Sequence, residues 1–157
     1  MVTSGDDDAA FMAEALVAAA AAGARGEVPV GAVVVVGGRI VATAGNEREA
    51  LADPTAHAEV LALRRAAALA GSWRLETATV YATLEPCAMC AGALVSARVA
   101  RLVFATPDPK AGACGSLYNL GADPRLNHEF TVEAGVGAEA ARDLLQSWFA
   151  SRRHGAT

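Results

Sequence analysis

The chain has 157 residues, 54% of them hydrophobic and 19% charged, which excludes a disordered segment and allows a single domain (1–157) with a sizeable core. Its 13 basic and 17 acidic side chains leave a net charge of −4, so no overall basic field marks a nucleic-acid partner and any RNA has to meet local patches. The longest apolar runs, near Leu16–Ala22 and Val30–Val36, are too short to cross a bilayer, and three cysteines, two of them in a C-x-x-C, make no disulfide framework.

Asp6-Asp7-Asp8 is opposite in sign to the start of a signal peptide, so no export signal and a reducing, cytoplasmic compartment are expected. Asp6 to Ala22 reads as a helix, with Phe11, Met12, Ala15, Leu16 and Ala19 on one apolar face and the aspartates as a solvated first turn. Gly23 and Gly26 end it. Pro29–Val36 and Arg39–Ala44 around Gly37-Gly38 read as a β-hairpin, and the unbroken run Val33–Val36 predicts a strand covered on both faces. Asn46 to Ala52 reads as loop. Asp53 as N-cap and Pro54 as first residue predict a helix to about Leu69. Thr77–Thr83 reads as a strand stopped by Glu85-Pro86, followed by a helix from Cys87 to about Ser96. Arg101–Ala105 is a fourth strand, and Thr106–Asn127 is a long irregular stretch of the kind that is functional or mobile. Phe130–Ala134 is a fifth strand, and Ala141, Leu144, Leu145 and Trp148 mark a last amphipathic helix. Alternating strands and helices predict a mixed sheet with helices on both faces.

Two stretches carry chemistry: Asp53-Pro54-Thr55-Ala56-His57-Ala58-Glu59 and Thr83-Leu84-Glu85-Pro86-Cys87-Ala88-Met89-Cys90. His57, Cys87 and Cys90 offer one imidazole and two thiolates, a donor set for Zn2+ that leaves a fourth position for water. Glu59 is the spare carboxylate that could carry that water's proton. Residues two apart do not share a helical face, so His57 and Glu59 can meet one ion only if it lies off the helix start. A purely structural zinc site needs a fourth protein ligand, for which Cys114, His128 and His154 are available.

With its H-x-E…P-C-x-x-C signature, the chain resembles the bacterial tRNA-specific adenosine deaminases of the zinc-dependent, cytidine-deaminase-like superfamily. The likeness extends through Glu27-Val28-Pro29-Val30-Gly31-Ala32, Asn46, Thr83–Ala93, Asp108–Ser116 and Asn127-His128, and so covers most of the chain. It implies a three-layer α/β/α sandwich on a mixed five-stranded sheet, one Zn2+ per subunit and a homodimer. The implied substrate is the wobble adenosine in the anticodon loop of an arginine tRNA, deaminated to inosine with Glu59 as proton carrier. It further implies that Asn46 contacts the base or ribose and that Asp108 and Lys110 lie near bound RNA. Here Asp108 departs from the family pattern in lying between Pro107 and Pro109, and Cys114 stands where a small apolar residue is expected. Arg64-Arg65, Arg98, Arg101, Lys110, Arg125 and Arg152-Arg153 are candidate phosphate contacts, and Tyr118, Trp148 and Phe149 candidate stacking residues, with Trp148 better placed for core packing. Two rivals share the motif: a deaminase of a free base or nucleoside of guanine or cytosine type, and a non-catalytic zinc-stabilised RNA-binding module.

Overall fold

A computed structural model describes residues 5–155 of the chain. Its elements are α1 (Gly5–Ala24), β1 (Gly31–Val36), β2 (Arg39–Gly45), α2 (Arg48–Leu51), α3 (Ala58–Ala70), β3 (Thr79–Leu84), α4 (Ala88–Ala97), β4 (Arg101–Thr106), β5 (Thr131–Ala134) and α5 (Ala138–Gly155). The five strands form a mixed sheet in the order β2-β1-β3-β4-β5. β1 runs antiparallel to both neighbours, whereas β3, β4 and β5 are parallel. Gly37 and Gly38 turn the hairpin at φ 59° and 76°, the positive angles that a tight reversal between twisted strands requires.

Helices cover both faces, which makes the expected α/β/α sandwich. Ala32 and Val34 of β1 pack with Val80, Leu102, Leu61 of α3 and Leu94 of α4. The alternate residues Val33 and Val35 pack with Tyr81, Val103, Met12 of α1 and Ala141 of α5. A strand buried on both sides gains nothing from alternation, which is why Val33–Val36 reads as an unbroken apolar run. α3 and α4 lie side by side, so their N-termini can share one site.

Several local expectations are corrected. Asp53 and Pro54 do not start α3. Asp53 Oδ1 instead accepts the Thr55 N–H at 2.8 Å and its hydroxyl at 2.7 Å, a local turn that an aspartate can form in place of a cap. Within the stretch expected as loop, α2 forms over four residues, too few to leave a periodic signal. The first helical turn is not all solvated either. Asp8 lies one turn before Met12 and Ala15 on the face turned to the sheet, and is 2% exposed. The Tyr81 hydroxyl donates to Asp8 Oδ1 at 2.6 Å, and the Arg101 guanidinium reaches both Asp8 oxygens at 2.9 and 2.6 Å. Arg101 also pairs with Glu133 of β5, so the network ties α1 to three strands. The side chains of Asp6 and His154 lie outside the described residues.

Asp8→Ala takes away both oxygens that Arg101 and Tyr81 meet, and removing one member of a buried ion pair should lower the unfolding free energy by about 3 kcal/mol. Urea titration measures this; a loss below about 1 kcal/mol would mean that α1 is held by apolar packing alone.

Candidate metal centre and active site

His57 and Cys87 each stand one residue before a helix, in extended backbone. Their φ and ψ are −75° and 149° at His57, and −72° and 177° at Cys87. The two helix starts meet, setting His57 Nδ1 3.4 Å from Cys90 Sγ and 3.7 Å from Cys87 Sγ. All three donor atoms lie within 4.8 Å of one another. The spacing conflict between His57 and Glu59 is resolved because only Glu59 is inside α3. The imidazole, outside the helix, does not follow its period.

Charge is divided unequally over this cluster. Hydrogen bonds from Cys90 and His57 hold the Cys87 thiol down at about 3 against the opposing effect of burial. Cys90, beside that thiolate and buried, is pushed far up. The contact with Cys87 also raises the pKa of His57. Glu59 is 3% exposed, its pKa raised by loss of water, and its Oε1 has no hydrogen-bond partner among the described residues. A nitrogen and two sulfurs at this spacing suit a zinc ion, whose positive charge would let both cysteines be thiolates. An orphaned carboxylate oxygen beside such an ion fits a group that meets water or substrate there. Among the described residues no fourth His, Cys, Asp or Glu completes the cluster. His128 is occupied elsewhere, its Nε2 2.6 Å from the Val99 carbonyl. Cys114 is buried, its thiol raised to about 12 chiefly by burial.

Asn46 stands behind the ligand helix. Its Oδ1 accepts the N–H of Ala58, the first residue of α3, at 2.9 Å, while its Nδ2 donates to the Val28 carbonyl at 3.0 Å. Its amide thus braces the start of α3. A cavity of about 470 Å³ opens beside it, walled by Glu27, Val28, Arg48, Glu49, Trp148 and Arg152. Asn46, which lines this cavity, also holds the first residue of α3, the helix that carries Glu59. Trp148 is half-buried, with Nε1 donating to the Gly23 carbonyl at 3.2 Å and Arg152 stacked on the ring at 4.1 Å.

Asp108 and Lys110 are not part of the three-donor cluster. Asp108 Oδ1 accepts the N–H groups of Lys110 at 3.1 Å and Ala111 at 3.2 Å, closing a turn, and Lys110 is exposed. Of the candidate phosphate contacts, Arg101 belongs to the Asp8 network, Arg65 pairs with Glu47 at 2.9 Å and Arg125 with Asp123 at 2.7 Å. Arg98 lies 5.8 Å over the Trp73 ring. Arg64, Lys110 and Arg153 are exposed.

Two buried carboxylates lie in stretches that the sequence singled out, without a role assigned to either. Glu27 accepts the N–H groups of Glu49 and Ala50 at 3.1 and 2.9 Å, fixing α2 as a wall of the cavity. Glu85 accepts from Asp108, Cys114 and Ser116. In sequence Glu85 was visible only as the end of a strand, since its partners lie more than 20 residues away.

The sandwich and its His/Cys/Cys/Glu cluster define a cytidine-deaminase-like enzyme of the hydrolytic deaminase class. Residues 6–150 match the MafB19-like deaminase family, and the chain belongs to that family. It is 47% identical over 146 residues to the tRNA-specific adenosine deaminase of Bacillus subtilis, covering 93% of this chain and 91% of the relative. A structure from work on A-to-I editing by tRNA:A34 deaminases superposes with a TM-score of 0.84 at 43% identity, covering 87% of this chain and 99% of its own. The guanine deaminase of Nitrosomonas europaea superposes at 0.80 with 26% identity, over 90% of this chain and 84% of its own.

Asn46→Ala removes the acceptor at the start of α3 and should cost about 1–2 kcal/mol in denaturant unfolding; Asn46→Asp keeps that acceptor but loses the donor to Val28, so it should recover only part of the loss. Equal losses in the two variants would argue against the brace. Because the contact with Cys87 and burial raise the pKa of Cys90, zinc uptake by metal-free protein should release protons and tighten as pH rises. Calorimetry in buffers of different ionisation enthalpy measures that release, and none would mean that Cys90 is not a ligand.

Proposed function

We propose that this deaminase converts the wobble adenosine of a tRNA anticodon, expected to be that of an arginine tRNA, to inosine. The observation that carries the catalytic part of the reading is Glu59, a buried carboxylate with a free oxygen beside three donors that lack a fourth protein partner among the described residues; the substrate rests on the relatives. A non-catalytic zinc module has no use for that carboxylate and predicts a fourth protein ligand.

His57, Cys87 and Cys90 would hold the zinc, which when bound supplies a Lewis acid that makes water nucleophilic at neutral pH. Glu59 takes a proton from the attacking water and passes it to N1 of adenine while the oxygen adds at C6. The same carboxylate then takes the remaining proton from the new C6 hydroxyl and delivers it to the exocyclic nitrogen, the C6–N6 bond breaks, C6 becomes a carbonyl, and ammonia leaves. Its raised pKa suits both steps, because a carboxylate short of water accepts a proton readily and stays close to the substrate nitrogens. The cavity beside Asn46 has the size of a site for one splayed base, and an anticodon loop presents such bases. Exposed Lys110 and Arg153 supply local positive charge on a chain whose net charge is −4. This assigns a cytoplasmic enzyme, and no helix of the described residues is long and apolar enough to cross a membrane. We place a homodimer contact on the apolar groove between α3 and α4, lined by Val60, Leu63, Trp73 and Ala93, with Leu69 exposed nearby.

A free-base reading has one observation in its favour, the similarity to a guanine deaminase. The adenosine reading is preferred because the relatives named tRNA-specific adenosine deaminase reach 47% identity. Ammonia release from guanine, adenosine and an anticodon stem-loop separates them. Activity on guanine with none on the stem-loop would reverse the assignment. Glu59→Gln should keep its zinc and lose activity on the stem-loop by at least about 10³-fold, as expected when the group serving two proton transfers is removed. Retained turnover in a zinc-loaded variant would reject Glu59 as the proton carrier.

A further inference from the structure

We propose that Glu85 is a positioning residue for the substrate: it fixes the 107–116 segment beside the site and thereby sets affinity for RNA, not retention of zinc. The carboxylate is 2% exposed and accepts four hydrogen bonds. The Asp108 N–H and the Ser116 hydroxyl donate to Oε1, and the N–H groups of Cys114 and Ser116 to Oε2. Four donors fill what an ionised carboxylate can accept, so Glu85 has no oxygen to spare as a ligand or an acid. Its role lies in what it holds.

The held segment runs along the ligand stretch. Gly112 forms an antiparallel bridge with Cys87, and the Ala113 N–H donates to the Pro86 carbonyl at 2.8 Å. It also lies directly on the carboxylate, since a Cβ on Gly112 would come 2.2 Å from Glu85 Cδ. Near the start of the segment, the Asp108 carbonyl accepts from Gly112 at 2.8 Å, and its carboxylate closes the turn that carries Lys110. Asp108 and Lys110 therefore inherit their place from Glu85. The donor atoms are placed by the starts of α3 and α4, and the segment meets Cys87 only through backbone, so Glu85 acts on the segment more than on the ligands.

This inference rests on the adenosine reading, and the test keeps the two apart. Glu85→Gln preserves shape but puts an NH2 group against backbone donors. Turnover of the stem-loop is measured with zinc-loaded wild type, Glu85→Gln and Ser116→Ala, together with zinc content and amide exchange. Glu85→Gln should raise KM about tenfold with kcat within about twofold, keep its zinc, and speed exchange at Asp108, Cys114 and Ser116. Ser116→Ala, which loses one bond of the four, should raise KM about two- to threefold. It carries the test if Glu85→Gln does not fold. A wild-type KM in either zinc-loaded variant, or loss of zinc with KM unchanged, overturns the inference. Inactive wild type would instead sink the adenosine reading, and this inference with it.

Discussion

The site depends on two helices that begin at one place with their ligand residues just outside them. In extended backbone before a helix, a side chain is released from the helical period and can turn toward the axis of its neighbour. His57 and Cys87 both occupy that position. Cys90, one turn inside α4, then adds the third donor on the same side. The two helix starts also present their positive ends to a cluster that gathers thiolate and carboxylate charge, which lowers the cost of burying both.

That constraint explains why the grouping of His57, Cys87 and Cys90 could be read in the sequence while much around it could not. Ligand types at short fixed spacings, on segments that start as helices, are local facts. So are the hairpin at Gly37-Gly38 and the doubly covered strand Val33–Val36. The helix start at Asp53-Pro54 was misjudged because a capping residue and an Asx-turn residue are the same amino acid, and only the next few dihedral angles separate them. The partners of Asp8, Arg101, Asn46 and Glu85 went unread for a different reason. Asp8 meets Arg101 across 93 positions, and Asn46 meets Ala58 only once the hairpin has brought the two together. An acid at a helix start looks solvated in sequence whether or not a guanidinium waits beneath it.

Glu27 and Glu85 show one device used twice. Each is a buried carboxylate that accepts backbone N–H groups from a distant irregular segment: α2 for Glu27, residues 108–116 for Glu85. Hydrogen bonds to a buried charge are worth about 1.5–3 kcal/mol each, more than neutral ones, so a few of them can order a segment that has little apolar surface to bury. The long stretch after β4, which composition alone would leave free to move, is held in this way.

Selectivity follows from where those segments lie. Attack of water at an amino-bearing ring carbon asks the same of three metal donors and one proton carrier whether the ring is adenine or guanine. A guanine deaminase can therefore share this fold at a TM-score of 0.80 with only 26% identity. On the proposed reading, what separates substrates lies in the walls, for which the candidates are α2 beside the Asn46 cavity and the 108–116 segment along Cys87. Both are attached to the sandwich through carboxylates that touch neither the ligands' donor atoms nor solvent. A wall attached in that way can change residue by residue while the donors stay fixed on their two helices, so one metal centre can serve a nucleobase or a nucleotide within a folded RNA.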